Sequence, residues 1–515
     1  MNATAPHDTA PHDTDVIIIG TGFSGLAMGT RLKRAGFDDF LLLERAAAIG
    51  GTWRDNTYPG AACDIQSHLY SYSFRPNPDW SRVYAGQSEI LQYLEDTADE
   101  EGLRGHIRFR HEVSAATWDD ETARWTVVAG GHSFSCRILV TASGHLSDPK
   151  IPELPGIGEF RGTIFHSARW DHSADLRGKR VGVVGTGASA IQIVPAIAPE
   201  AEHVTVFQRS APYVIPRVDR EYSDVEKQMF RKVPAKAQEL RDELFWWNES
   251  RFPQRRLVPD FLAQIRALAD RHRQQQISDP ELMRKVTPDY EVGCKRILIS
   301  NDWYPALERD DVSLETSLIE RMTPDGAVLT DGREEPLDVL VLSTGFEASD
   351  LPIAYRIFGR GGRSLAGHWA EAGEQAYACT TVTGFPNLFV MLGPNTGLGA
   401  GSIIFMVETQ AQYILEAVGY MTANGVRSLE VPRSAEEHYA RSLVERSEGT
   451  VWVSGGCKSW YLDRNGRLTT LWPDFMTEFR RENGSFRPEA YVVDGGGRTK
   501  ASMVDSLPSA HAPAE

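Results

Sequence analysis

The hydrophobic pattern of the chain repeats one unit twice. Val16-Ile17-Ile18-Ile19 is a short β-branched run, the composition of a strand buried on both faces. Gly20-Thr21-Gly22-Phe23-Ser24-Gly25 follows at once. A helix-like stretch then runs to about Ala35 and is stopped by Gly36, and a second apolar run, Phe40 to Leu43, ends in Glu44. The strand Val181 to Val184, the turn Gly185-Thr186-Gly187-Ala188-Ser189-Ala190, a helix and the strand His203 to Phe207 reproduce the order. Two later apolar runs, Leu337 to Leu342 and Leu388 to Leu392, read as strands returning to the first unit, and a helix is predicted from about Ser402. The stretch from about Glu221 to Asp289 has another texture. It is charged and lacks strand-like runs, so it predicts a helical insertion, with Trp246 and Trp247 in its core.

Each glycine turn sits between a strand and a helix, the context a dinucleotide site requires. Glycines permit the tight turn and let the backbone approach a pyrophosphate at the helix N-terminus. In the first unit Gly20, Gly22 and Gly25 fill the fingerprint, and Glu44 follows Gly25 at the spacing where a carboxylate accepts hydrogen bonds from a ribose diol. In the second unit Gly185 and Gly187 are kept and Ala190 takes the third place. The residue at the acidic position is Arg209. A carboxylate repels a 2′-phosphate, whereas a guanidinium grips it through paired hydrogen bonds. The first site therefore suits FAD and the second NADPH. The expected fold class is α/β: two Rossmann-like dinucleotide-binding domains with a helical insertion.

The predicted boundaries are residues 15–150 and 335–494 for the FAD domain, 151–220 and 290–334 for the NADP domain, and 221–289 for the insertion. Residues 1–14 and 495–515 read as disordered tails. A chain of 515 residues with formal net charge -16 disfavours a nucleic-acid partner, because phosphate backbones need a basic face. No apolar stretch approaches the roughly 20 residues that span a bilayer, and the N-terminus lacks the pattern of a signal peptide. The five cysteines show no paired spacing, so neither zinc nor a disulfide framework is expected, no metal is assigned, and a cytoplasmic setting fits.

Two longer patterns carry a resemblance. Phe160-Arg161-Gly162-Thr163-Ile164-Phe165-His166-Ser167-Ala168-Arg169-Trp170-Asp171 fits FxGxxxHxxxW followed by Pro or Asp. Gly51-Thr52-Trp53-Arg54-Asp55-Asn56-Thr57-Tyr58-Pro59-Gly60-Ala61-Ala62-Cys63-Asp64 fits GxWxxxx(F/Y)P(G/M)xxxD. Together with both glycine turns, over most of residues 15 to 480, the chain resembles the Baeyer–Villiger monooxygenases, within the class B flavoprotein monooxygenases. The resemblance implies that Arg296 is the catalytic arginine and Asp64 the acid that holds it. It implies FAD contacts from Thr52, Trp53, Tyr70 and Val113. It also implies NADP contacts from Thr186, Ala188, Ser189, Arg209, Ser210, Lys295 and Trp452. The His166 segment is expected to be an inter-domain linker rather than a source of a catalytic base. Cys457 is expected to be a packing residue.

The implied reaction has NADPH reduce FAD, O2 give a flavin C4a-peroxide, and that species attack a ketone to yield an ester or lactone. A fixed guanidinium lowers the energy of the anions along this path and has no proton to give away. Two other readings share much of the chain. A sulfur or nitrogen monooxygenase uses the same fold and cofactors, and a plain flavin redox module would return all its electrons to hydrogen peroxide. The sequence leaves open which ketone is used and whether the protein is a monomer or a dimer. The pocket is expected to draw on the helical insertion and on the loop from Gly393 to Ser402.

Overall fold

The computed structural model describes residues 12–495. The first sheet is built on β1 (His12–Ile19), whose Val16, Ile17 and Ile18 are fully buried. β1 lies parallel to β2 (Phe40–Glu44) and to β6 (His132–Thr141), with Ile17 opposite Leu41 on one side and Leu139 on the other. β3 (Ile107–Phe109) extends the sheet beyond β2, while β4 (Val113–Asp119) and β5 (Arg124–Ala129) form an antiparallel meander into β6. The helix Phe23–Arg34 leaves β1 through the first glycine turn and packs against the long helix Ile403–Ala423, which Ser402 caps.

The second sheet is wholly parallel. It contains β7 (Thr163–His166), β8 (Arg180–Val184) and β9 (His203–Phe207). A two-residue pairing of β10 (Val214–Ile215) with β11 (Leu298–Ile299) lies outside it, and β12 (Val312–Glu315) closes one edge. β13 (Ile319–Thr323), β14 (Gly326–Leu329) and β15 (Glu334–Pro336) form a separate antiparallel sheet. β16 (Val339–Leu342) then enters the second sheet between β8 and β7, giving the order β12-β9-β8-β16-β7.

This placement corrects two expectations. The run Leu337 to Leu342 belongs to the NADP domain and is not the return to the first. A four-residue apolar run fits any central parallel strand; its parallel ladders with β7 and β8 place it, and at its start Asp338 accepts from the Arg180 backbone amide at 2.9 Å and from Nη2 at 2.7 Å. The return is made by β17 (Ile357–Phe358) on β4 and β18 (Leu388–Val390) on β6. The His166 segment is likewise no linker, because Thr163–His166 is the edge strand of the second sheet. The two sheets thus divide near residue 345 instead of 335.

The insertion is helical as expected. It consists of Asp224–Lys232, Pro234–Glu249, Phe252–Arg255, Pro259–Gln276 and Pro280–Lys285. Ser223 and Glu226 form a capping box at its start, and each later helix has a proline in its first turn, where the missing amide costs nothing. Trp246 and Trp247 are surface residues, 52% and 44% exposed, and not core. Their helix turns Leu240, Leu244 and Phe245 toward the core, which leaves the tryptophans outside.

Of the expected N-terminal tail, His12 to Thr14 belong to β1, where His12 lies opposite Phe134; residues 1–11 lie outside the described residues. At the other end only Gly495 of the expected tail is described. Cys294 and Cys457, 163 residues apart, form a disulfide, with Cα atoms 6.1 Å apart. Cys457 is therefore a cross-link and not a packing residue. Spacing cannot reveal such a pair when two loops from distant parts of the chain meet only after folding.

Candidate active site

The first glycine turn is a closed cradle. Gly20 has φ +108°, and a Cβ there would lie 2.7 Å from the Ala142 carbonyl oxygen; at Gly25 it would lie 1.9 Å from the Gly20 carbonyl oxygen. Gly51, at φ +52°, brings its loop onto Gly22, where its own Cβ would stand 3.1 Å from the Gly22 Cα. Glu44 is 4% exposed. Its carboxylate accepts from the Thr21 amide at 3.1 Å and hydroxyl at 2.6 Å, from the Ala46 amide at 2.9 Å and from Arg54 Nη1 at 2.9 Å. The fixed carboxylate beside a turn with no room for side chains fits a dinucleotide with an unphosphorylated ribose.

Near that cradle Trp53 donates Nε1–H to the Tyr70 hydroxyl at 3.1 Å, the rings meeting edge to face. Burial pushes the Tyr70 phenol well above its ordinary value, so the hydroxyl stays neutral. Thr52 opens the short helix that carries Trp53 and donates to the Leu146 carbonyl at 3.4 Å. Val113 is not brought to this cluster. Its side chain is 3% exposed in the sheet core with Ile19 and Leu43, and its carbonyl accepts from Arg356 at 2.8 Å.

The second turn is open. Gly185 has φ +113° and a Cβ there would meet the Ser343 carbonyl oxygen at 2.5 Å, yet Gly187 and Ala188 are exposed and nothing crowds Gly187. Thr186 donates to the Ser210 carbonyl at 3.1 Å, and Lys295 Nζ donates to the Ser210 hydroxyl at 2.8 Å. Burial, and then the neighbouring Arg209 cation, lower the Lys295 pKa. Two cations and a hydroxyl gathered around one exposed turn form an anion site that fits a 2′-phosphate.

Arg296 and Asp64 meet from segments 232 residues apart. Nη2 lies 2.6 Å and Nε 2.7 Å from Asp64 Oδ2, with both side chains about a third exposed, 37% and 32%. The Asp64 charge, against the cost of burial, raises the Arg296 pKa further above its already high value. Trp452 is 2% exposed and packs with Phe252, Cys294 and Tyr461. It also lines a narrow cavity with Arg255, Leu398 and Gly399, so both the insertion and the loop from Gly393 to Ser402 contribute.

His166 sits at the end of β7, its Nδ1 accepting from the Ala168 amide at 3.0 Å. Burial lowers it to about 4, so it is neutral at working pH and serves structure. Trp170 packs edge to face on Phe165 at 4.8 Å.

Three residues join the site that motif reading did not single out. The Tyr58 hydroxyl reaches Ser189 of the second turn, and Gln192 accepts from the Ala62 amide at 2.8 Å, so the motif ending in Asp64 is bolted onto the NADP domain. Tyr58 occupies the aromatic place of that motif, a signal that was available; Gln192 had none. Tyr461 lies beside the Arg296 backbone amide and within electrostatic reach of both Arg296 and Arg255.

Two dinucleotide-type turns of opposite charge, together with one guanidinium–carboxylate pair, define a flavoprotein oxidoreductase that handles two nucleotides. The family model described as flavin-binding monooxygenase-like matches residues 13–251. A Baeyer–Villiger monooxygenase of Streptomyces coelicolor is 45% identical over 479 residues, 93% of this chain and 92% of that one. Another from Pseudomonas aeruginosa is 44% identical over 491 residues, 95% and 93%. Among solved structures, cyclohexanone monooxygenase from Rhodococcus sp. Phi1 bound to NADP+ superposes with a TM-score of 0.84 at 28% identity, covering 95% of this chain and all of that one. A steroid monooxygenase bound to NADP gives 0.82 at 31%, covering 94% and 100%. The chain belongs to the Baeyer–Villiger monooxygenases, FAD-dependent enzymes within the flavin-binding monooxygenases.

Proposed function

We propose that the protein inserts one oxygen atom of O2 beside the carbonyl of a ketone, giving an ester or lactone, with Arg296 and Asp64 as its catalytic pair. The observation that carries the assignment is this ion pair, Arg296 Nη2 lying 2.6 Å from Asp64 Oδ2. Bound FAD, reduced by NADPH, supplies the activated oxygen. The chain supplies position and charge. Glu44 and the first turn hold the FAD ribose and pyrophosphate; Arg209, Ser210 and Lys295 hold the 2′-phosphate at the second turn. Asp64 fixes the Arg296 guanidinium and keeps it charged. Arg296 stabilises the negative charge that builds on the carbonyl oxygen as its carbon becomes tetrahedral, without donating a proton. The buried Trp452 and Tyr461 limit water around it. Among the described residues no helix is long and apolar enough to cross a membrane; the Cys294–Cys457 disulfide overturns the expectation of unpaired thiols, so a reducing cytoplasm no longer follows from the cysteines.

The test is turnover of purified enzyme with NADPH under 18O2, offering cyclic, linear and aryl ketones and a thioether, with products read by mass spectrometry. An ester or lactone carrying one labelled oxygen is expected. Sulfoxide alone, or hydrogen peroxide equal to the NADPH consumed, would overturn the reading.

A further inference from the structure

Arg255 lies in the short insertion helix Phe252–Arg255 and is 5% exposed. A buried guanidinium ordinarily has a carboxylate, because an unpaired charge away from water is expensive. Among the described residues Arg255 has none. Nη2 donates to the Gly399 carbonyl at 2.9 Å and Nη1 to the Gln254 side-chain oxygen at 3.2 Å; the buried Nε has no partner. The cavity beside it contains two acids that are engaged elsewhere. Glu249 accepts from the amides of Met476 and Thr477 and from the Thr477 hydroxyl, at 3.1, 2.9 and 2.7 Å; Asp474 accepts from the Phe475 amide at 2.8 Å.

The surroundings are cationic. Arg251, one helical turn earlier, stacks its guanidinium 3.4 Å above the Trp247 ring and likewise has no ion-paired acid among the described residues. Burial, with the charges of Arg251 and Arg296 adding to it, lowers Arg255 to about 10, so it remains a cation at working pH. Three guanidiniums, Arg251, Arg255 and Arg296, therefore lie within electrostatic reach of one another; Asp64 pairs with Arg296, and neither Glu249 nor Asp474 of the adjoining cavity forms an ion pair with Arg255 among the described residues.

The backbone is shaped to this side chain. A Cβ on Gly399 would stand 3.0 Å from Arg255 Nε, and one on Gly293 would stand 3.2 Å from Nη1. Arg255 thus passes between the loop that carries Lys295 and Arg296 and the loop around Gly399. The free space is about 20 Å³, room for one or two water-sized groups.

We propose that Arg255 is the receptor for an anionic terminus of the substrate, so that the preferred ketones carry a carboxylate remote from the carbonyl. The proposal rests on the Baeyer–Villiger reading of the same site. Arg296 faces the carbonyl, Arg255 takes the carboxylate, and Tyr461 lies within reach of both. The unpartnered Nε–H of the guanidinium can donate to one carboxylate oxygen, and the charge of the group favours an anion there. A phosphate of the nicotinamide cofactor has the same anionic oxygens, and the test separates the two sources.

The experiment compares 4-oxopentanoate, 6-oxoheptanoate and 10-oxoundecanoate with their methyl esters in wild type, Arg255→Met and Arg255→Lys, each checked for full FAD content. The wild type is expected to favour one acid over its ester by about tenfold or more in kcat/KM. Arg255→Met should erase that ratio and Arg255→Lys keep part of it. Three results would overturn the proposal: no acid preference at any chain length, equal losses for acid and ester in Arg255→Met, or a raised NADPH KM with the ratio unmoved, which would assign the anion to the cofactor. If neither acid nor ester is oxygenated while another ketone still gives ester or lactone, these compounds are not turned over and binding has to be read directly. Calorimetry of 6-oxoheptanoate against the oxidised, NADP-loaded enzyme then still decides. Binding weakened about tenfold in Arg255→Met supports the anion site, and unchanged binding refutes it.

Discussion

The two glycine turns share a backbone design and differ in everything around it. The first is buried, roofed by the Gly51 loop, and its acid Glu44 accepts four hydrogen bonds from the protein. The second leaves Gly187 and Ala188 exposed, and its cations Arg209 and Lys295 are gathered around a serine hydroxyl. A preorganised, enclosed cradle holds its ligand tightly because the cost of ordering it was met during folding. An open cradle with like charges pressed together is relieved by an arriving anion, and its exposure leaves a route for exchange. The contrast matches the demands of a resident flavin and an exchanging nicotinamide nucleotide.

The largest expected effect lies at the ion pair. Arg296→Ala should cut ester formation by about 10²–10³-fold or more while NADPH still reduces the flavin, read by stopped-flow absorbance and product analysis. Comparable ester formation would remove Arg296 from the chemistry. Next, Glu44→Gln strikes the enclosed turn. Losing a charged acceptor there should weaken FAD by about 10–100-fold, seen as flavin lost on gel filtration, with NADPH discrimination intact in the protein that retains it. Arg209→Ala strikes the open turn. The NADPH KM should rise about tenfold or more with the NADH KM little changed, and full FAD retention is expected. A flavin-deficient Arg209→Ala would erase the contrast between the turns.

The smallest effect is in pH. Lys295 is a cation whose pKa is lowered, so it loses its proton at a lower pH than an ordinary lysine. Its grip on phosphate is complete below that pKa and fades as pH rises through it. The NADPH KM should therefore begin to climb below the usual lysine range, and Lys295→Arg should flatten that climb. A KM independent of pH in wild type would sever Lys295 from the phosphate.

Both turns, their strands and the insertion were legible because spaced glycines between a buried strand and a helix serve little purpose except a tight, phosphate-accepting turn. The Arg296–Asp64 contact was also legible, through resemblance, although 232 residues separate the partners. Sheet membership was less so. The run at residues 337–342 has the same apolar texture in either domain; the structure places it by its parallel ladders with β7 and β8, with the Asp338–Arg180 bonding at its start. Trp246 and Trp247 misled because two adjacent tryptophans suggest a core, whereas one helix face cannot bury every large residue in a row. Arg255 left no trace at all. Its environment is made by Gly293, Gly399 and Trp452, which the chain delivers from three directions.

The Cys294–Cys457 bond has a topological consequence. It closes a covalent ring of the chain from residue 294 to residue 457, and that ring runs through β12 and β16 of the second sheet and then β17 and β18 of the first. While the bond is closed, neither nucleotide domain can unravel its share of the ring as an independent strand, so each is leashed to the other even when denatured. On a chain-entropy account, closing a loop this long disfavours the unfolded state by about 5 kcal/mol. Lys295 and Arg296 directly follow one cysteine of the bridge, so the segment that bears them stays tied to Cys457 even in the unfolded chain.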